Sequence, residues 1–484
     1  MSRPRTRPDH QLPGDDAAPP ARPGVTVFVQ RPGESALRWH TGAAHLELAV
    51  PIGPDTTFNV GSVAKQITAH LLLLSARRGL LDLDRPVAAH LPRFALPDVT
   101  VADLVRHQGG VRDAESLLSL AGLRDLDHYT AEDLLELAFR QTRRCTAPGT
   151  FLYSNTGYLL LAAVLRTVHG TGLAELAERW VFAPLGMTAS RFMADPCEVL
   201  PGAASSYAPT DDGWTRSQRP VTLPGPGSLW SSASDLARWL AYVEDNWPAN
   251  QDLAFDTELA YHVSDHAPYR YGPGLYAEVR RTGDASVFHA GHEHGFSAAA
   301  HLSRTGLRMV CLSNNAAVAA DHTAADVLTA LGDGTRGRGD KADASVETIA
   351  RVVSRRLSAA SARPAAGRAE NRSPTPVEVA DRQTELGTYV CAEVPGTLRL
   401  TRAQDTLLLW RRGTCDRLLP VGPATYAGTG MRLVLPGPDG QPPDGGAGTS
   451  GTADTAPVGH FTLHLDRAPD LRYRRMSRER EESR

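Results

Sequence analysis

The sequence predicts an α+β protein: an antiparallel sheet flanked by helices, followed by a small antiparallel β-barrel. Three observations carry this. Strand-like runs lie near the start and again around residues 287–312, with helical periods between them. A tight turn at Arg304–Gly306 joins two of the later runs, as in a hairpin. From Leu386 the pattern changes to short alternating segments separated by turn residues, the mark of a barrel or sandwich. At roughly 150 residues per domain, the 484-residue chain has room for about three domains, or a large one with a smaller partner.

Taken in order, residues 1–23 read as a disordered polar tail, and 24–333 as the main domain. Gly24–Gln30, Ala36–His40 and Ala44–Leu48 read as strands. Ile67, Leu71 and Leu74 recur at helical spacing, which puts Ser62 at a helix start. Thr100–Arg106, Ala131–Phe139 (capped by Thr130), Asn155–Val168 and Ser234–Glu244 (capped by Ser234) read as helices. Val287–His289, Ser297–Leu302 and Leu307–Leu312 read as antiparallel strands, and His322–Leu331 as a helix. Residues 334–378 are expected to hold a helix, marked by Val346, Ile349, Val353 and Leu357, and a flexible linker at Ser361–Thr375. Eight short strands between Gly387 and Arg474 place the barrel at 379–476, interrupted by a Gly/Pro-rich loop at Pro436–Pro457; a charged tail, 477–484, follows.

Composition removes several classes of function. With 51 basic and 54 acidic residues the net charge is −3, which provides no global field for nucleic acid. The longest apolar runs, Tyr158–Leu165 and His70–Ser75, fall well short of the roughly 18 residues of a membrane span. Cys145, Cys197, Cys311, Cys391 and Cys415 are scattered with no CxxC pair, which reads as reduced structural thiols. Met1–Pro23 carries no apolar core of a signal peptide, so a cytoplasmic location is expected. A homodimer is an open expectation. No cofactor is expected.

Chemistry concentrates in three short motifs. Ser62-Val63-Ala64-Lys65 stands at a helix start, and residues three apart share a helix face, so hydroxyl and amine can meet. Lys65 and Lys341 are the only lysines; everywhere else the basic residue is arginine, which cannot give up its proton. Alone, this motif also fits a capping serine and a surface lysine. Tyr153-Ser154-Asn155 can place a proton-relaying phenol and a neutral amide in one cleft, the phenol lowered by nearby cations. It equally fits an interfacial tyrosine before a capping asparagine. His289-Ala290-Gly291 ends a strand, with Gly291 allowing close approach to the strand edge. His289, His292, Glu293 and His294 also admit a metal reading, though their spacing matches no helical zinc motif.

Taken together and in this order, SxxK, YxN and HxG resemble the motifs of the penicillin-recognising serine hydrolases: class C β-lactamases, D,D-carboxypeptidases, D-aminopeptidases and related esterases. The resemblance runs from PGVTVFVQ through PDTTFNVGSVAKQ, VADLVRHQGGVRD, APGTFLYSNTGYLLL and GSLWSSASDLARW to HAGHEHGFSA, roughly residues 24–333. It implies an acylated Ser62, with Lys65 and Tyr153 as the proton-transfer pair. Asn155 would hold a substrate amide or tune Lys65. His289 and Gly291 would line the substrate site, and the backbone N–H groups of Ser62 and His292 would form the oxyanion hole. A histidine in place of the lysine of most β-lactamases disfavours a β-lactam carboxylate. The C-terminal module resembles the lipocalin-like barrels of D-aminopeptidases, though only one fits here.

The expected activity is therefore hydrolysis of small D-amino-acid amides, peptides or simple esters through a Ser62 acyl-enzyme. A transacylase, a β-lactamase, a metallohydrolase and a non-catalytic ligand sensor are the alternatives. No GxSxG motif occurs, which excludes an α/β-hydrolase elbow.

Overall fold

The computed structural model describes residues 10–11, 22–121, 129–217, 223–250, 258–259, 269–279, 285–303, 305–332, 345–362, 386–403, 406–412, 414–422, 424–436 and 459–476. Most of the expected tail, nearly all of the Gly/Pro-rich loop, residues 363–375 of the linker and the charged tail lie outside these residues. Within the tail, His10–Gln11 pair in parallel with Leu37–Arg38.

Nine strands form one sheet, in the order His10–Gln11, Leu37–Thr41, Val25–Gln30, Arg308–Ser313, Phe296–Ser303, Ala285–Glu293, Leu275–Val279, Tyr269–Gly272, Glu258–Leu259. Apart from the first pair, all neighbours are antiparallel. Alternation along the strands gives the sheet two apolar faces. Val25, Val27, Val29, Met309 and Cys311 meet helices Ala320–Ala330 and Val346–Ala362 through Val327, Ile349, Val353 and Leu357. Phe28, Ala298, Ala300, Val310 and Leu312 belong to the larger core on the other face, where helix Ala233–Asn250 packs. The helix expected within a connector is thus a layer of the main domain, each of its buried aliphatic side chains contributing about 2 kcal/mol.

Some local expectations shift. Helix Ala233–Asn250 is capped by Ser232, whose hydroxyl accepts from Asp235 N at 3.2 Å; the proposed cap Ser234 instead bonds the Pro54 carbonyl. Helices Ala114–Leu120 and Leu173–Ala177, too short for a clear period, had no counterpart in the sequence reading. Among the described residues, no single helix is long and apolar enough to cross a membrane.

The C-terminal module is a closed eight-stranded antiparallel barrel, Gly387–Val390 through Ala468–Arg475. Inward Leu398, Leu400, Leu407, Leu409 and Leu463 fill it with the stacked rings of Phe461 and Tyr473. The barrel is locked to the main domain by charge. Arg112 Nη1 lies 2.6 Å from Glu393 Oε2, with side chains 0% and 9% exposed. Arg112 also donates to the carbonyls of Pro469 and Asp470, and Arg143 pairs with Asp470 at 2.6 Å. Breaking a buried pair on one side leaves an uncompensated charge. Glu393→Ala is therefore expected to lower stability by about 3 kcal/mol or more, seen as a lower urea midpoint. An unchanged midpoint would show that attachment of the barrel does not depend on this pair.

Candidate active site

The nucleophile candidate sits where a strand hands over to a helix. Phe58–Asn59 pairs with Leu229–Ser231, and the Val60 amide donates to Leu229 O at 3.0 Å. Asn59 Oδ1 accepts from Gly61 N, closing a tight turn, Gly61–Val63, that leads into helix Ala64–Arg77. Gly61 has φ +49°, a conformation that costs a side-chain-bearing residue energy. Ser62 is held at this turn, at the positive end of a helix buried on almost every side.

Lys65 lies one turn on and is completely buried. Its amine reaches Ser62 Oγ at 2.9 Å, Asn155 Oδ1 at 2.7 Å and the Pro226 carbonyl at 3.0 Å. These three acceptors match the three donors of an ammonium. Nζ also lies 4.7 Å from the centre of the Tyr153 ring and 5.6 Å from that of Tyr158. Burial pulls the Lys65 amine down to about 7, against the opposing pull of Glu115 and Asp113. Near neutral pH it therefore exists in both protonation states, which a base for serine requires.

Tyr153 stands beside this pair, its ring under the Lys65 amine and its phenol within electrostatic reach of the Ser62 hydroxyl. From the sequence, Tyr153 can relay protons on condition that nearby cations lower its phenol. Instead, burial pushes it well above its ordinary range, so it stands as a neutral phenol and Lys65 is the titrating partner. Asn155 begins helix Asn155–His169, with Ser154 as cap. Its Oδ1 takes the Lys65 proton donor and its Nδ2 donates to Glu115 Oε2 at 2.5 Å, which fixes the amide's orientation. Of the two expected roles for Asn155, this geometry matches the tuning of Lys65.

The third motif arrives on the strand Ala285–Glu293. Its pairing with Leu275–Val279 ends at Phe288, so from His289 onward one edge is turned toward the nucleophile turn. A Cβ on Gly291 would meet Val60 O at 2.0 Å and Ser62 N at 2.8 Å. A Cβ on Gly61 would meet His292 N at 2.8 Å. Two missing side chains thus let two backbones close, so that the nucleophile turn packs directly against the strand at Gly291 and His292.

His289 is buried at the foot of this edge. Nδ1 faces Ala290 O at 2.6 Å, Nε2 faces the Tyr271 hydroxyl at 3.4 Å, and its ring lies 6.3 Å from that of Tyr153. Burial, then the charge of Lys65, drives it down to about 3, so it stays neutral. Strand alternation separates the residues of the metal reading. His289 points into the tyrosine layer, whereas His292 is 59% exposed and lies 3.8 Å from Asp321. Among the described residues, no group of three or more potential ligands is placed to hold a metal ion.

Several residues of the site were not singled out in the sequence. His107, at φ +56°, is buried, its ring 4.4 Å from that of Tyr153, and its Nδ1 accepts from Ser154 N. Asp113 Oδ2 accepts from Asn155 N at 2.7 Å, and Glu115 holds the Asn155 amide. Glu293, which the sequence offers only as a metal ligand, is pushed up to about 8 by burial, then by Glu115. Arg467 comes from the barrel. The only hint in the chain is the charge cluster Arg112-Asp113-Ala114-Glu115, which carries no motif.

Fold and site together define a serine-centred SxxK site on an α+β scaffold. A family model described as Beta-lactamase matches residues 16–333, and the chain belongs to the beta-lactamase family. The D-aminopeptidase of Gluconobacter oxydans is 27% identical over 322 residues, 65% of this chain and 61% of that protein. The chain spans about half to three-fifths of the curated relatives it matches. The octameric penicillin-binding protein homologue from Pyrococcus abyssi aligns with a TM-score of 0.57 at 19% identity, covering 93% of this chain and 96% of that one. D-amino acid amidase from Ochrobactrum anthropi SV3, crystallised with L-phenylalanine amide, gives 0.54 at 22% identity, over 70% and 93%. Both structures share the fold.

The close approach at Gly291 has a direct test. Gly291→Ala would push the strand off the nucleophile turn and misplace one oxyanion donor. Turnover of an activated ester or amide is expected to fall by about 100-fold or more. Full activity in this variant would mean that the His292 amide does not face the reacting carbonyl.

Proposed function

We propose that the chain is a serine hydrolase that forms an acyl-enzyme at Ser62 on small D-amino-acid amides or peptides. The observation that carries this reading is the Ser62 hydroxyl 2.9 Å from the buried Lys65 amine, which in turn lies over the Tyr153 ring. The neutral Lys65 amine takes the Ser62 proton as Oγ attacks the carbonyl carbon. The oxygen that becomes negative is received by the backbone N–H groups of Ser62 and His292. As the C–N bond breaks, the leaving amine takes a proton through the Tyr153 hydroxyl, which is replenished from Lys65. Water then attacks the ester carbonyl, its proton passes to the same pair, and Ser62 is released.

The D-amino-acid preference is drawn from the relative named D-aminopeptidase and the solved D-amino acid amidase. A β-lactamase activity is less well supported, because His289 is held neutral and supplies no cation at the place where most β-lactamases carry lysine. Esterase and transacylase activities share the first half of the reaction and differ in what accepts the acyl group. Self-association belongs to the same proposal, prompted by the octameric relative. So does a cytoplasmic location, with which five unpaired cysteines agree.

Release of nitroaniline from D-alanine p-nitroanilide is expected with the wild-type chain and is expected to drop to background in Ser62→Ala. Turnover that survives this substitution would overthrow the nucleophile; wild type with no turnover would remove the D-amino-acid amide from first place. The pH profile follows from Lys65. Its folded value is depressed to about 7, and only the unprotonated amine can accept from Ser62, so kcat/KM should fall as pH drops through that value. A flat profile across neutrality would assign the base elsewhere.

A further inference from the structure

The barrel extends one charged side chain into the site of the main domain. Arg467 lies in the turn between strands His460–Leu465 and Ala468–Arg475. Its carbonyl accepts from the Asp113 amide at 3.0 Å. Its guanidinium lies 3.5 Å from Asp113 Oδ2 and 3.5 Å from Glu115 Oε2. Both carboxylates hold Asn155, one through its backbone N–H and the other through its amide, and Asn155 in turn accepts from Lys65. A continuous line of polar contacts therefore runs from the barrel turn to the amine beside Ser62.

We propose that Arg467 is a positioning residue for the reaction: by balancing the Asp113 and Glu115 carboxylates it lets the Lys65 amine act as a base toward Ser62. The inference rests on the Ser62–Lys65 reading above. Lys65 is faced from every side by groups that could set its charge. Asp113 and Glu115 come from the start of helix Ala114–Leu120, Glu293 from the strand edge, and Arg467 from the barrel. His107 and His289 also face it, and both are held neutral by burial. Tyr153 and Tyr158 present ring faces, and their phenols are held uncharged. Glu293 is pushed up to about 8, so at pH 7 it is mostly protonated.

That leaves two carboxylates beside a buried amine, with Arg467 opposing them. Asp113 is pushed up by burial, while Arg467 and the amides of Asn155 and Ser116 draw it back down. With the arginine present, the carboxylates spend part of their field on it; without it, their field falls on Lys65 and tightens its hold on the proton. The serine would then face an ammonium over more of the neutral range.

The test follows labelling of Ser62 in the full chain by a fluorophosphonate, read by intact mass from about pH 5 to about pH 10. Labelling of the wild type should rise with a midpoint near the Lys65 value of about 7. In Arg467→Gln the midpoint should move up by about one unit, giving a roughly ten-fold slower rate below it and an unchanged plateau at high pH. Arg467→Lys should keep the wild-type midpoint. A wild-type midpoint in Arg467→Gln, with its melting temperature intact, would overturn the proposal. Equal loss of rate at every pH in both variants would also overturn it, since that marks a purely structural turn. Absence of labelling in the wild type would remove the nucleophile and the proposal together. Because the label is no D-amino-acid derivative, these outcomes stand whether or not the amide is turned over.

Discussion

Burying the Lys65 amine takes it out of water, and the fold must then supply its hydrogen-bond partners from three separate segments: the turn before its own helix, the start of helix Asn155–His169, and the carbonyl of Pro226. Burying a charge is expensive, so the group is drawn toward its neutral form. The same burial keeps the Tyr153 phenol and the His289 and His107 rings uncharged. One physical condition, exclusion of water from a packed aromatic layer, thus prepares a base, a neutral proton relay and an uncharged wall.

The second constraint is close backbone approach. Gly61 and Gly291 each stand where a Cβ would collide with the partner segment. Their collaboration joins the end of a sheet strand to the start of a helix. The helix buries its apolar surface on nearly all sides, and the strand is anchored through Phe296–Ser303 and Arg308–Ser313 to the buried strand Val25–Gln30. The backbone of the nucleophile turn at Ser62 is therefore braced against a strand of the sheet at Gly291 and His292.

The segment 112–115 ties the two domains to the site. Arg112 faces the barrel and is buried against Glu393; Asp113 caps a helix and meets the Arg467 turn; Glu115 holds the amide of Asn155. Three of four consecutive residues thus serve interface and site at once. None of this was legible in the sequence, because Asp113 and Glu115 act on a partner 42 and 40 residues away, respectively, and on Arg467 more than 350 residues away. Spacing reports a contact only when the partners share one helix or one strand. Ser62 and Lys65 do, and their contact was foreseen. Tyr153 comes to lie beside them, but burial and not a neighbouring cation sets the state of its phenol, and burial has no sequence period of its own. Likewise Ser234 looked like a cap by composition, while the hydroxyl actually aimed at the helix start belongs to Ser232.

What the sequence by itself determined is the set of local patterns and their order: an antiparallel sheet with helices, eight alternating strands for the barrel, and a serine, lysine, tyrosine, asparagine, histidine and glycine in three motifs. Those follow from side-chain periodicity and from turn chemistry, which act over a few residues. Only the tertiary structure decided which of them meet, how deeply they are buried and which carboxylates and arginine surround the amine. Desolvation and Coulomb interaction depend on distance through space: residues 65, 113, 155 and 293 become neighbours only when the main domain folds, and 467 joins them only when the barrel closes against it.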